Sequence, residues 1–286
     1  MIAILSDIHA NLEALKAVLA AMGNPKAIYC AGDIVGYGPN PNECCELLRA
    51  HNVKSVMGNH DIVCANYGLL ETDDDRITER IRRLARMTRD EMNSVARRCC
   101  EWTYNALSEE NRSYLRSLPL VLREGKITML HGSPGSDYHK LNTYLEEKYD
   151  TLSNEHGRMG LDFTEFCRDL LDEMRTKLLI VGHTHLPYKG YVFKRAVGRY
   201  LLPFLSRDGW VINPGGVGQP RKGKKAMFAT VEFPLFPYLK VDASFRYLEH
   251  NVRHHAVRFD RRTTLRKIQD IQELPEDCRF MLGQWF

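Results

Sequence analysis

Five short segments of this chain gather histidine, aspartate and asparagine, mostly beside glycine: Asp7-Ile8-His9, Gly32-Asp33, Gly58-Asn59-His60-Asp61, His131-Gly132 and Gly182-His183-Thr184-His185. Carboxylate, imidazole and amide oxygen are donors suited to manganese, iron or zinc rather than to a thiolate-seeking ion. Residues two apart, as in Asp7/His9 and His183/His185, project to one side of an extended backbone. Asp7, His9, Asp33, Asn59, His131, His183 and His185 would supply seven ligands, more than one ion takes in a usual geometry. Two ions sharing one carboxylate would use them all, and paired ions about 3.5–4 Å apart are the standard device for in-line displacement at phosphorus. The expected chemistry is hydrolysis of a phosphoester.

These segments recur at one structural position. Each follows a short β-rich run: Ile2–Leu5, Ala27–Cys30, Val53–Met57, Lys126–Leu130 and Leu178–Val181. Helical patterns alternate with the early runs. Leu12, Leu15, Leu19 and Met22 recur at helical spacing within 11–22, and a second helix is expected over 42–51, the βαβ signature of a largely parallel sheet. In open α/β sheets the carboxyl ends of the strands form the ligand crevice, so residues distant in sequence converge there. Further strands are expected at 210–212, 226–233 and 243–248, and a helix at 263–271. Charged helical blocks over 73–117 and 139–177 read as insertions into a single domain spanning 1–286.

Composition narrows the alternatives. The 286 residues are 44% hydrophobic and 27% charged, with a net charge of +4, an ordinary globular balance that does not announce a dedicated nucleic-acid binder. No stretch approaches a membrane span, and the opening MIAILSDIHANL lacks the basic region of a signal peptide. The eight cysteines form no CxxC pair and stand outside the five segments, so reduced thiols and a cytoplasmic location are expected, without a structural cysteine-zinc site.

The ordered set Asp7-Ile8-His9, Gly32-Asp33, Gly58-Asn59-His60-Asp61, His131-Gly132 and Gly182-His183-Thr184-His185 resembles the calcineurin-like metallophosphoesterase superfamily. The stretches GDIVGYGPNPNE, INPGGVGQPR and VRFDRRTTLRKI resemble its prokaryotic phosphodiesterase and protein-phosphatase branch. The resemblance implies an α/β fold, a four-layer αββα sandwich of two mixed sheets flanked by helices. It implies two divalent or mixed-valence transition metal ions (Mn, Fe, Zn, Co or Ni): Asp7, His9 and His185 on the first, Asn59, His131 and His183 on the second, Asp33 bridging. A hydroxide between the ions would attack phosphorus, His60 would protonate the leaving oxygen, and Asp61 would hold the His60 ring. The implied partner is a phosphoester substrate, whether small molecule, nucleotide or phosphoprotein. A scaffold on the same fold, similar to a retromer subunit that has lost part of the catalytic set, is the alternative.

Other residues carry plainer readings. His51, His139, His156, His250, His254 and His255 are expected to be structural or superficial. Gly32, Gly58 and Gly182 are expected to permit turns that a β-carbon would strain. Tyr37 either lines the pocket or packs on a loop. Asn213 and Gly215-Gly216 suggest a tight turn whose amides could meet phosphate. The 73–117 insertion is expected to border the pocket; Arg76, Arg80 and Arg83 within it read as a solvated helix face, with a phosphate clamp as the alternative. Arg221-Lys222-Gly223-Lys224-Lys225 likewise reads as a solvated turn rather than a phosphate patch. Where relatives carry an arginine after His131-Gly132-Ser133-Pro134, this chain has Gly135-Ser136-Asp137-Tyr138.

Overall fold

The first strand, β1 (Ile2–Leu5), is apolar at every position because both of its faces are covered. Ala3 and Leu5 face a helical layer, while Ile2 and Ile4 face a second sheet, the two-residue alternation of a strand. The computed structural model describes residues 1–132, 171–172, 174–192, 209–221, 223–232 and 252–286.

Around β1 lie β2 (Ile28–Cys30), β3 (Lys54–Ser55), β9 (Ala226–Val231) and β10 (Val252–Val257), in the order β10-β9-β1-β2-β3. The β1–β2–β3 pairings are parallel, connected through α1 (Leu12–Ala21) and α2 (Pro41–Ala50); β9 and β10 are antiparallel, so the sheet is mixed. The second sheet holds β4 (Val121–Glu124), β5 (Ile127–Leu130), β6 (Leu178–Ile180), β7 (Tyr188–Val192) and β8 (Gly209–Asn213), ordered β4-β5-β6-β8-β7. Its central pairings β5–β6 and β6–β8 are parallel and its edges antiparallel. Ile4, Tyr29, Val56 and Ala229 of the first sheet meet Met129, Ile180 and Ile212 of the second in a shared apolar layer. The fold is the expected α/β arrangement of two mixed sheets flanked by helices.

The 73–117 block forms α4 (Glu79–Glu91), α5 (Ser94–Ala106) and α6 (Glu109–Ser117). Thr78, Asn93 and Ser108 cap them by accepting backbone N–H groups of Ile81, Ala96 and Asn111. These helices pack on α3 (Asn59–Asn66), which begins within the Gly-Asn-His-Asp segment itself. That segment is therefore a helix start as well as a strand end. The C-terminal α7 (Arg261–Gln269) and α8 (Glu276–Trp285) pack through Ile268, Leu274, Cys278 and Leu282 onto Cys99 of α5. The strands β4, β7 and β10 and helix α8 had no clear sequence signal; β4, for instance, is largely exposed and half charged. The strand expected at 243–248, most of the 139–177 insertion, residues 133–138, and His139, His156 and His250 lie outside the described residues. The seven cysteines among the described residues are free and buried.

Two glycines allow the loops after β2 and β3 to touch. Gly32 has φ +93°, and a β-carbon there would lie 2.8 Å from the Gly58 nitrogen. Gly58 itself has an ordinary φ of −90°, so the turn explanation does not apply to it. Space does: its β-carbon would lie 2.1 Å from Asp33 Oδ1 and 2.3 Å from the Asp33 nitrogen. Gly58→Ala should therefore destabilise the protein by about 1–3 kcal/mol, as overpacking does. Thermal and urea unfolding check this, and an unchanged midpoint would show that the two loops have slack.

Candidate metal centre

After β1, β2 and β6 the chain leaves the extended conformation abruptly. Asp7 (φ 55°), His9 (φ 47°), Asp33 (φ 52°), His183 (φ 68°) and His185 (φ 57°) all occupy the left-handed region, uncommon for residues with a β-carbon. The expectation of an extended backbone presenting Asp7/His9 and His183/His185 is thus corrected: each pair is aimed by strained turns. Hydrogen bonds hold those turns. The Asp33 carbonyl accepts from Ile8 N (2.8 Å) and His9 N (3.0 Å), while Asp33 Oδ1 accepts from His60 N (2.8 Å). His183 N donates to Asp7 Oδ1 at 3.1 Å, and Gly182 N to the His131 carbonyl at 2.7 Å.

The donors fall into two main groups, overlapped by a third that sets His9 and Asp33 with His60. Asp7, His9 and His185 bring ligand atoms within 4.8 Å of one another, as do Asp33, His131 and His183. Asn59 Oδ1 joins the second group, 3.0 Å from His131 Nε2 and 2.9 Å from His183 Nδ1. Asp33 Oδ2 stands between the groups, 3.3 Å from His131 Nε2 and 3.7 Å from His9 Nε2. All seven donors anticipated in the sequence are brought together.

The donor set fits cations on its own chemistry. His131 Nδ1 donates to the Ala31 carbonyl (2.7 Å) and His185 Nδ1 to the Gln219 carbonyl (2.7 Å), which in the neutral rings leaves each Nε2 as a lone pair. Such carbonyl contacts are how ligating histidines are commonly held. Without a positive charge, the His131 lone pair would face the lone pairs of Asn59 Oδ1. Asp7 Oδ2 is buried with no hydrogen-bond partner.

The metal-free electrostatics reflect the same crowding. Burial raises the Asp7 carboxyl and pushes His9, His183 and His185 down. Burial also opposes the charged forms of Asp33 and His131, yet their mutual attraction wins. Asp33 is held well below the carboxylate range, and His131 is pushed up to about 9.

His60 lies beside these groups, its ring 4.9 Å from that of His9 and 4.3 Å from that of Tyr37. The expected bond from Asp61 to the His60 ring is replaced by another arrangement. Asp61 Oδ1 accepts from Ile34 N (2.8 Å) and Val35 N (3.0 Å), and Oδ2 from Gly58 N (2.9 Å). A carboxylate at the third position of a helix bonds back to the start of that helix, and here it also fastens the loop after β2. The His60 ring instead has Cys100 Sγ 3.6 Å from Nδ1, a partner for which the sequence held no signal.

A cavity of about 370 Å³ opens over the centre, lined by Tyr37, His60 and His183 and also by Glu91, Asn93 and Arg221. Tyr37 both lines this cavity and packs on Trp285 (5.3 Å). The insertion borders the cavity through the α4–α5 corner rather than through its arginines. Arg76 pairs with Asp74 (2.6 Å) and Glu109 (3.5 Å), and Arg80 and Arg83 are exposed. Arg221, grouped in the sequence with a solvated turn, is exposed but at the cavity wall. The amides of Gly215 and Gly216 do not point to a ligand: they donate to Asn213 Oδ1 (2.9 Å) and the His185 carbonyl (3.2 Å). Asn213 Nδ2 in turn donates to the Gly182 carbonyl at 2.7 Å, so this turn braces the His183–His185 loop. His254 bonds the Asn213 carbonyl (2.8 Å) and His255 stacks on Phe228 (4.5 Å), both in structural positions.

The family model of the calcineurin-like phosphoesterase superfamily domain matches residues 1–234, and the chain belongs to that family. It is 36% identical over 234 residues, 78% of each chain, to an uncharacterized protein of Methanocaldococcus jannaschii. The crystal structure of a metallophosphoesterase from Sphaerobacter thermophilus is similar at a TM-score of 0.61 and 30% identity, covering 100% of this chain and 98% of the other. A hypothetical protein from Pyrococcus horikoshii shares the fold at a TM-score of 0.66 and 22% identity, over 99% of both chains. No helix among the described residues is long and apolar enough to cross a membrane.

Because His131 titrates at about 9 without metal, it is protonated at neutral pH and must lose that proton to become a ligand. Metal loading at pH 7.5 should therefore release protons. Calorimetric titration in two buffers of different ionisation enthalpy measures this, and identical enthalpies in both would contradict the assignment of His131.

Proposed function

We propose that this member of the calcineurin-like phosphoesterase family is a dinuclear metal-dependent phosphoester hydrolase with His60 as its general acid. The observation that carries the reading is the pair of nitrogen-and-oxygen donor groups joined by Asp33 beside a cavity. Asp7, His9 and His185 would hold one ion, Asn59, His131 and His183 the other, and Asp33 both. Manganese, iron, zinc, cobalt or nickel suits these donors. Bound there, the ions would supply Lewis-acid charge and a water of lowered pKa.

The chain's own groups would do the rest. Arg221, at the cavity wall, would hold a phosphoryl oxygen as a guanidinium does. His60, which also lines the cavity, would give its proton to the leaving oxygen, a contribution of about 10²–10⁴ in rate. The cavity suits a small-molecule ester. Convergence of every donor with His60 favours the enzyme over a scaffold, which has no use for a metal-ligand set. Packing of the C-terminal helices on Tyr37 and α5 supports reading 1–286 as one domain.

The metal-supplemented protein should cleave aryl phosphate monoesters or bis-aryl phosphodiesters, most readily with Mn²⁺. Absence of turnover with Mn²⁺, Fe²⁺ and Co²⁺ on both ester types would sink the proposal. Asp33→Asn should lose bound metal and activity together, measured by metal analysis and initial rates. Arg221→Ala should keep its metal but raise KM or lower kcat/KM roughly ten-fold or more, the scale of a charged hydrogen bond; an unchanged kcat/KM would remove Arg221 from the site.

A further inference from the structure

The two ring nitrogens of His60 face different surroundings. Nδ1 is turned into the protein: a β-carbon on Gly36 would lie 2.6 Å from it, and Cys100 Sγ is 3.6 Å away. The ring is confined by Tyr37 and His9 and borders the cavity, so Nε2 is the nitrogen left to meet a substrate. Among the described residues, Cys100 is the hydrogen-bond partner of this ring, since Asp61 is committed to three backbone amides. Cys100 belongs to α5, is fully buried, and has Met92 Sδ at 3.7 Å. Cys64 lies one helical turn beyond His60 on α3, the spacing that puts both side chains on one face.

We propose that Cys100 is the positioning residue of His60 and fixes its ring with a proton on Nε2, toward the cavity. A thiol bonds imidazole in either sense. If the Cys100 S–H donates to Nδ1, the proton of the neutral ring must sit on Nε2. If a Cys100 thiolate accepts from Nδ1–H of the imidazolium, Nε2 is protonated again. Both arrangements present Nε2–H to the substrate. As that N–H bond breaks and an O–H bond forms on the leaving group, one proton remains between Nδ1 and the Cys100 sulfur. No oxidant or reductant takes part. The sulfur occupies the place a carboxylate commonly takes behind a functional histidine, and it gives the 73–117 insertion a chemical duty besides walling the cavity.

The use made of this proton rests on the hydrolase reading; its location on the ring does not, and the test separates the two. Zinc-loaded protein labelled with ¹⁵N-histidine is measured by long-range ¹H–¹⁵N correlation, with His60 assigned through His60→Gln. The wild type should show a protonated Nε2. Cys100→Ala should shift the ring toward mixed tautomers at unchanged metal content, and Cys100→Ser should restore the wild-type pattern. In parallel, Cys100→Ala should lower kcat about ten-fold or more for esters with poor leaving groups but less than about three-fold for 4-nitrophenyl esters, as expected when proton donation is impaired. Should the alanine variant fail to fold, Cys100→Val, close in volume, serves in its place. An unchanged ring pattern without the sulfur, or a serine variant indistinguishable from alanine, overturns the proposal. An inactive wild type whose His60 ring still responds to Cys100→Ala would refute the hydrolase reading while leaving this one standing.

Discussion

Asp33 is the group on which the other contacts of the centre depend. Its carbonyl gathers the turn after β1, its Oδ1 fixes the backbone of His60, and its Oδ2 stands between His9 and His131. A buried carboxylate is costly unless it is paired and hydrogen-bonded. Here the loops after β1, β3 and β5 supply what it needs, so satisfying one anion draws three distant segments to one point.

That convergence is bought with backbone strain. Five of the seven donors lie in the left-handed region, at about 1–3 kcal/mol each, which persists only where the surroundings over-determine the conformation. The surroundings do so. The turn Asn213–Gly216 ties down the His183–His185 loop, while Val217 and Gly218 donate to the carbonyls of Ser6 and Asp7. The stretch INPGGVGQPR is thus a brace for the loops after β1 and β6, and its last residue, Arg221, reaches the cavity wall.

The outer elements complete the site rather than create it. The α4–α5 corner forms one wall, α5 carries the sulfur behind His60, and α8 places Trp285 against Tyr37. They lie on the helical side of the first sheet, whose other face is occupied by the second sheet. Among the described residues the cavity is thus bordered both by helices and by the loops that the two sheets carry.

Much of this was legible beforehand. Apolar runs covered on both faces marked the central strands, and polar residues in their wake marked the crevice, because strand ends must meet where a parallel sheet opens. The general fold class followed from residue type and order, and so did the grouping of Asp7, His9, Asp33, Asn59, His131, His183 and His185 at one place. Edge elements such as β4, with its exposed Arg123 and Glu124, resembled loops because a solvated edge places little demand on hydrophobicity. The partner of His60 was not legible: Asp61 is adjacent in sequence, but its place at the third position of α3 commits it to backbone amides. Cys100 reaches the ring only because α5 packs across α3. Residue chemistry and order along the chain therefore determined which groups are present and where on the sheet they gather. Which atoms face one another was decided by tertiary structure, since left-handed turns, the close approach at Gly58 and helix packing arise from contacts between segments that no local pattern records.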